Sequence, residues 1–239
     1  MSTTSTNFNE VVFIYRYGVS IDVKVEGYVR KINTECNRLL EKSFVDRMDH
    51  AESRAIWTES EICLAIVRWA SECGGFIMSC LNEERNREHF LNFQIEFDQK
   101  SKFDRFSEDC IYMIQNRMSN KEVNLNERVF VRGYDAQTDV KMDKWVSCGI
   151  CSNSLWECER ILVTKRDYAK TETEKRMFDT FRATVKWAQT CGATLLGIRN
   201  HVIIAKQQSY MRFDFRFDSK YFFDEFEESL VSNVKGAVM

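Results

Sequence analysis

The sequence contains no proline, and only nine glycines and three histidines in 239 residues. Without proline there is no polyproline linker or ligand motif, and no slow prolyl isomerisation in folding. The few glycines form neither common type of glycine-rich phosphate loop, so nucleotide binding by those routes has no basis. No apolar run approaches the ~20 residues that a membrane-spanning helix requires; the longest, VVFIY from Val11, is strand-sized. The opening MSTTSTNF lacks the apolar core of a signal peptide and reads as a disordered tail over residues 1–8. Nine cysteines are an odd number, scattered without a small disulfide scaffold around them, and this favours a reducing compartment. The expectation is a soluble cytoplasmic or nuclear protein with no membrane association.

What the chain does have is internal repetition. NEVVFIYRYGVSIDVKVEGYVR from Asn9 aligns without a gap to NERVFVRGYDAQTDVKMDKWVS from Asn126, with 9 identities in 22 positions. VRWASECGGFI from Val67 matches VKWAQTCGATL from Val185 at 5 of 11, and LNFQIEFDQKSKFDRFSE from Leu91 matches MRFDFRFDSKYFFDEFEE from Met211 at 8 of 18. Ordinary residue usage would give roughly three matches over these positions. A tandem duplication follows, with repeats over 9–118 and 126–239 joined by a short polar linker, SNKEVNL, at 119–125. A unit of ~110 residues is the size of a small domain and too long for a solenoid repeat. The glycine-free linker favours two packed copies in a pseudo-twofold arrangement.

Hydrophobic periodicity gives each copy the same order of elements. Val11–Arg16 and Ile21–Arg30 read as two strands around a turn at Tyr17-Gly18. Thr34–Phe44 and Thr58–Cys73 read as amphipathic helices; Ile62, Ile66, Trp69 and Cys73 share one helical face, and Gly74 stops the second helix, as Gly192 does in the other copy. Phe76–Leu81 is a strand. Phe93, Ile95 and Phe97 alternate with polar residues, as do Phe213, Phe215 and Phe217, so these strands bury one face. Phe103, Phe106, Cys110 and Met113 then step like a single helix. The copies diverge where HVIIAKQQ from His201 suggests an extra strand and NEERNREH from Asn82 suggests a solvated loop. The predicted class is α+β: a duplicated β-β-α-α-β-β-α unit with helices on one face of mostly antiparallel sheets.

Charge divides unevenly between the copies. The span 9–118 carries 15 basic and 19 acidic residues, and 126–239 carries 18 and 16. The mild positive balance of the second copy falls well short of a typical nucleic-acid domain.

Candidate chemistry is sparse. Cys148, Cys151 and Cys158 form C-x2-C-x6-C, the first pair at zinc-knuckle or redox spacing, but no fourth ligand is near and only Cys158 finds a cysteine counterpart, Cys36. Buried free thiols account for them better. His50, His89 and His201 are isolated and read as surface residues. Asp98/Asp218 and Asp104/Asp224 recur where a strand gives way to a helix, beside Ser101 and Ser219, and read as helix caps. Trp69/Trp187 and Cys73/Cys191 read as core. In Asp22-Val23-Lys24 and Asp139-Val140-Lys141 the charged residues share one strand face, open to a cross-strand ion pair or a repeated recognition patch; the ion pair is favoured. No catalytic, cofactor-binding or metal-binding residue is assigned. The expected function is a non-enzymatic interaction or regulatory protein with a protein partner. The alternative is a nucleic-acid binder using Arg199, Lys206, Arg212 and Arg216 of the second copy.

Overall fold

The computed structural model describes residues 7–27, 29, 36–143, 154–203 and 208–239. Among these residues it holds seven α-helices and six strands, paired antiparallel wherever a register is defined. The chain divides into two compact units, one of residues 16–133 and the other of residues 1–15 with 134–239.

In the unit 16–133, β1 (Val12–Val25) pairs through its Tyr17–Val25 stretch with β3 (Glu88–Phe97), which pairs in turn with β2 (Phe76–Arg85). The turn between β2 and β3 is Asn86-Arg87, both with positive φ, as a two-residue hairpin of this kind demands. Helix α1 (Asn37–Asp49) precedes α2 (Arg54–Glu72), whose N-cap Ser53 accepts the Ile56 N–H. α2 ends at Gly74, φ +73°, in a Schellman turn: Gly75 N–H donates to Ala70 O at 2.7 Å and Gly74 N–H to Ser71 O at 3.0 Å. After β3 come α3 (Lys100–Ser107) and α4 (Cys110–Arg117).

Phenylalanines form the contact between this sheet and its helices. Phe93 meets Phe44 of α1, and Phe97 meets Phe103 and Phe106 of α3, with centroids 5.3–6.1 Å apart. All five rings are fully buried. Each such burial is worth about 1.5–3 kcal/mol, which fixes the register, because a one-residue slip would turn these rings to the other face.

The second unit follows the same order. β4 (Val129–Met142) pairs through Tyr134–Met142 with β6 (Gln208–Phe217), which pairs with β5 (Thr194–Ile203). α5 (Leu155–Asp167) is capped by Ser154, and α6 (Glu172–Thr190) opens on a Thr171–Glu174 capping box. Gly192, φ +71°, ends α6 with the same Schellman bonds. α7 (Lys220–Val238) is capped by Ser219. Phe213, Phe215 and Phe217 pack on Phe181, Phe223 and Phe226. Even the irregularities correspond: a bulge at Ile77/Ser79 in one unit and at Leu195/Gly197 in the other.

Several expectations are corrected. The two strands expected around Tyr17-Gly18 are one 14-residue strand without a turn, so the first half reads β-α-α-β-β-α-α and the second β-α-α-β-β-α, rather than β-β-α-α-β-β-α. Gly18 lies opposite Glu96 in the ladder, and pairing with β3 holds it extended. The stretch NEERNREH is not a solvated loop but the end of β2, its turn and the start of β3; of HVIIAKQQ, His201–Ile203 ends β5 and residues 204–207 lie outside the described residues. The charges of NEERNREH are tolerated on a strand because cross-strand partners compensate them, as Lys24 does for Glu88. The single helix expected after β3 is broken, since Glu108 is extended and Asp109 is left-handed at φ 50°; this buries Cys110 and Ile114 and leaves Met113 partly exposed. The first helix runs Asn37–Asp49, later than Thr34–Phe44, with residues 34 and 35 outside the described residues. The tail expected over 1–8 lies outside them as far as residue 6; Phe8 already belongs to a short 3-10 turn.

Candidate interaction face

Strand alternation places a polar row on the sheet face opposite the phenylalanines in each unit. In the unit completed by residues 134–239, Asp139 and Arg212 stand directly opposite one another on β4 and β6. Arg212 Nε donates to Asp139 Oδ1 at 2.8 Å and Nη2 to Oδ2 at 2.9 Å, a bidentate pair with both side chains buried. Burial works against the Arg212 charge, but Asp139 outweighs it and the guanidinium is held protonated. The Tyr15 ring lies 4.3 Å from the Arg212 guanidinium carbon and 6.0 Å from the His201 ring, and Phe13 meets Tyr210 edge-on at 5.7 Å. Burial, followed by the Asp139 charge, raises the Tyr210 phenol. Further along, Arg216 makes a second bidentate pair with its cross-strand neighbour Asp135, at 2.6 and 2.7 Å, and Arg199 lies 3.4 Å from Asp214.

The aligned row in the unit 16–133 is built differently. Asp22 faces Asn92, whose Nδ2 donates to Asp22 Oδ1 at 2.7 Å. The cation comes from β2: Arg85 donates to Asp22 at 2.6 and 3.3 Å and also pairs with Glu83, and both acceptors raise its pKa. Glu83 also takes Arg132 at 3.2 Å. Arg85 lies over the Phe90 ring, which meets Phe130.

Asp22 and Asp139 both sit in ion pairs with arginines of other strands, Arg85 and Arg212, as the favoured of the two readings expects. Lys24 pairs with Glu88. Of the basic residues proposed for nucleic acid, Arg199, Arg212 and Arg216 each rest on an aspartate, while Lys206 lies outside the described residues.

The other candidates are mostly structural. Trp69 Nε1 donates to Phe106 O at 3.1 Å and Trp187 Nε1 to Phe226 O at 3.3 Å, tying α2 to α3 and α6 to α7. Cys73 and Cys191 are buried at the helix ends, and desolvation pushes each thiol up to about 11. Cys148 and Cys151 lie outside the described residues. Cys158 is fully buried in α5, and its positional counterpart is Leu40, also fully buried, rather than Cys36. Cys36 is the exposed N-cap of α1, matching Ser154 of α5. Among the described residues no group of three or more His, Cys, Asp or Glu can hold a metal ion.

Two expectations fail here as well. The aspartates Asp98, Asp104 and Asp224 do not cap their helices: Asp98 pairs with Lys102 at 2.7 Å, Asp104 lies 3.8 Å from Lys100, and Asp224 2.9 Å from Lys220. The N-cap is one residue beyond Asp98, at Gln99, and beyond Asp218, at Ser219, so a lysine four residues away is the nearer partner. Of the histidines only His50 is exposed; His89 and His201 are half-buried on strands.

Periodicity along α2 singles out one further residue. Glu59, with Ile62, Cys63 and Ile66, falls at helical spacing on the apolar face of α2, and it is buried. Its Oε1 accepts the Glu26 N–H at 2.5 Å, with Arg128 at 3.8 Å and Arg47 at 3.9 Å from the carboxylate. Two residues on, buried Glu61 accepts the Ser119 N–H at 2.5 Å. Both carboxylates anchor backbone leaving the core, as a buried acceptor must find a donor.

No protein-family model and no curated protein matches the chain. Among solved structures it is similar to a crystal structure provisionally assigned as a glycine cleavage system transcriptional repressor, at 10% identity over 92% of each chain and a TM-score of 0.24. A likeness at that TM-score has no bearing on the fold or the function. Among the described residues no helix is long and apolar enough to cross a membrane.

Proposed function

We propose that this chain is a non-enzymatic regulatory protein, built by tandem duplication of an α+β unit, that acts by binding a protein partner. Equal element lengths support the duplication: β1 and β4 have 14 residues each, α1 and α5 have 13, and α2 and α6 have 19. The observation that carries the partner class is the accessible row of Tyr15, His201 and Arg199, backed by the buried Arg212–Asp139 pair beneath it. Aromatic rings interleave there with arginines already matched by carboxylates, a composition typical of protein contact surfaces. A nucleic-acid surface instead needs positive charge left over for phosphate.

The test is affinity capture from the native source, with and without nuclease, using the natural chain and a Tyr15→Ala/Arg199→Ala variant. A stoichiometric protein that survives nuclease and is lost with the variant supports the proposal. Recovery of nucleic acid alone, abolished by nuclease, overturns it.

A further inference from the structure

We infer that the cooperative folding units of this chain are not its two sequence halves: each unit is completed by a strand segment belonging to the other half. The unit boundaries fall inside regular strands, between Tyr15 and Arg16 of β1 and between Gly133 and Tyr134 of β4. Neither boundary is a linker.

In the unit 16–133, the borrowed segment is the start of β4. Lys24 N–H donates to Arg128 O at 2.8 Å, Phe130 meets Phe90 at 6.4 Å, Arg132 reaches Glu83, Arg128 approaches Glu59, and Val129 is buried. In the other unit, the borrowed segment is the start of β1. Lys141 N–H donates to Val11 O at 2.7 Å, Phe13 meets Tyr210 at 5.7 Å, Tyr15 packs on His201 and Arg212, and Val12 is fully buried.

These are aligned positions. Lys24 and Lys141, Arg128 and Val11, Phe130 and Phe13, and Phe90 and Tyr210 correspond in the two halves, so one contact set is made twice with the halves exchanged. A half folded on its own would leave a buried valine without its seat and a strand edge uncovered, and an uncovered edge is a liability. Protection from exchange follows cooperative units rather than sequence proximity. A weakened contact is therefore felt across the sequence, in the half that borrows the segment.

The test is amide hydrogen exchange by mass spectrometry on full-length chains carrying Phe13→Ala or Phe130→Ala. Phe13→Ala speeds exchange, by roughly tenfold or more, in 134–142 and 208–217 while 88–97 keeps its natural rate, and Phe130→Ala does the reverse. Val12→Ala and Val129→Ala, at the adjacent buried positions, reproduce the crossed pattern if the ring truncations register weakly. Faster exchange in the half that carries the substitution, equal acceleration in both units, or no change in any of the four variants overturns the inference.

Discussion

Asp139 sits across the ladder from Arg212 and takes two of its N–H donors, whereas the aligned Asp22 faces Asn92 and draws its arginine from β2. One buried carboxylate is thus neutralised in two ways. The Asp139 pair is closed off from water, with side-chain exposures of 0% and 8%, while Arg85 on Asp22 is 36% exposed.

That difference sets the first prediction. Asp139→Asn strands a buried guanidinium and costs about 3–5 kcal/mol. Asp22→Asn costs less, about 1–2 kcal/mol, because Arg85 keeps Glu83 and access to water. Urea unfolding of both variants checks the order, and equal losses contradict it.

Glu59 gives a pH dependence. Burial raises its pKa above the ordinary carboxylate value, against the lowering effects of the Glu26 N–H, Arg47 and Arg128. The folded state therefore holds the proton to a higher pH than the unfolded state. The stability linked to this group rises as pH falls through the folded pKa, and is absent above it. Glu59→Gln, which copies the protonated form, should unfold at higher urea than the natural chain at neutral pH. The gap should close on acidification, and a gap that widens instead contradicts the assignment.

Thiol chemistry should be confined by burial. Desolvation pushes Cys80 and Cys110 up to about 12 and raises Cys63 well above the ordinary thiol value, and Cys73 and Cys191 stand at about 11, so at mildly alkaline pH almost no thiolate exists at these sites. Cys36 is the exposed thiol among the described residues. Brief alkylation of the folded protein followed by peptide mapping should label Cys36 and spare Cys63, Cys73, Cys80, Cys110, Cys158 and Cys191. Labelling of Cys80 or Cys110 at a comparable rate would contradict the packing.

The hairpin turn between β2 and β3 carries Asn86 and Arg87 at φ 53° and 67°. Arginine pays about 1–2 kcal/mol for a left-handed backbone that glycine adopts freely. Arg87→Gly, which creates the Asn-Gly preferred in such turns, should raise the thermal midpoint by several degrees. A fall in the midpoint would mean that the Arg87 side chain contributes more than its backbone costs.

Local signals were legible wherever their cause lies within a few residues. Gly74 and Gly192 were read as helix stops because a left-handed C′ residue needs no distant partner, and the alternation around Phe93 and Phe213 marked the buried face because side chains on a strand repeat every two residues. The same locality explains the errors. Gly18 looked like a turn and NEERNREH looked like a loop because their extended state is held by other strands, through the pairing of Gly18 with Glu96 and of Lys24 with Glu88. Cys36 and Cys158 share a residue type but not a position, because the helix register places Leu40 opposite Cys158.

By itself the sequence determined the internal similarity of the halves, the alternation of helix and strand, the glycine stops of the two long helices and the phenylalanine face of each central strand, since all of these follow from residue type and spacing along the chain. Only the tertiary structure decided that Asp139 is matched by Arg212, 73 residues away, and Asp22 by Arg85. It also decided that Val11–Tyr15 completes the unit of 134–239. Ion pairs and strand edges are satisfied by whichever group folding brings within about 3 Å, and spacing along a chain does not encode that choice.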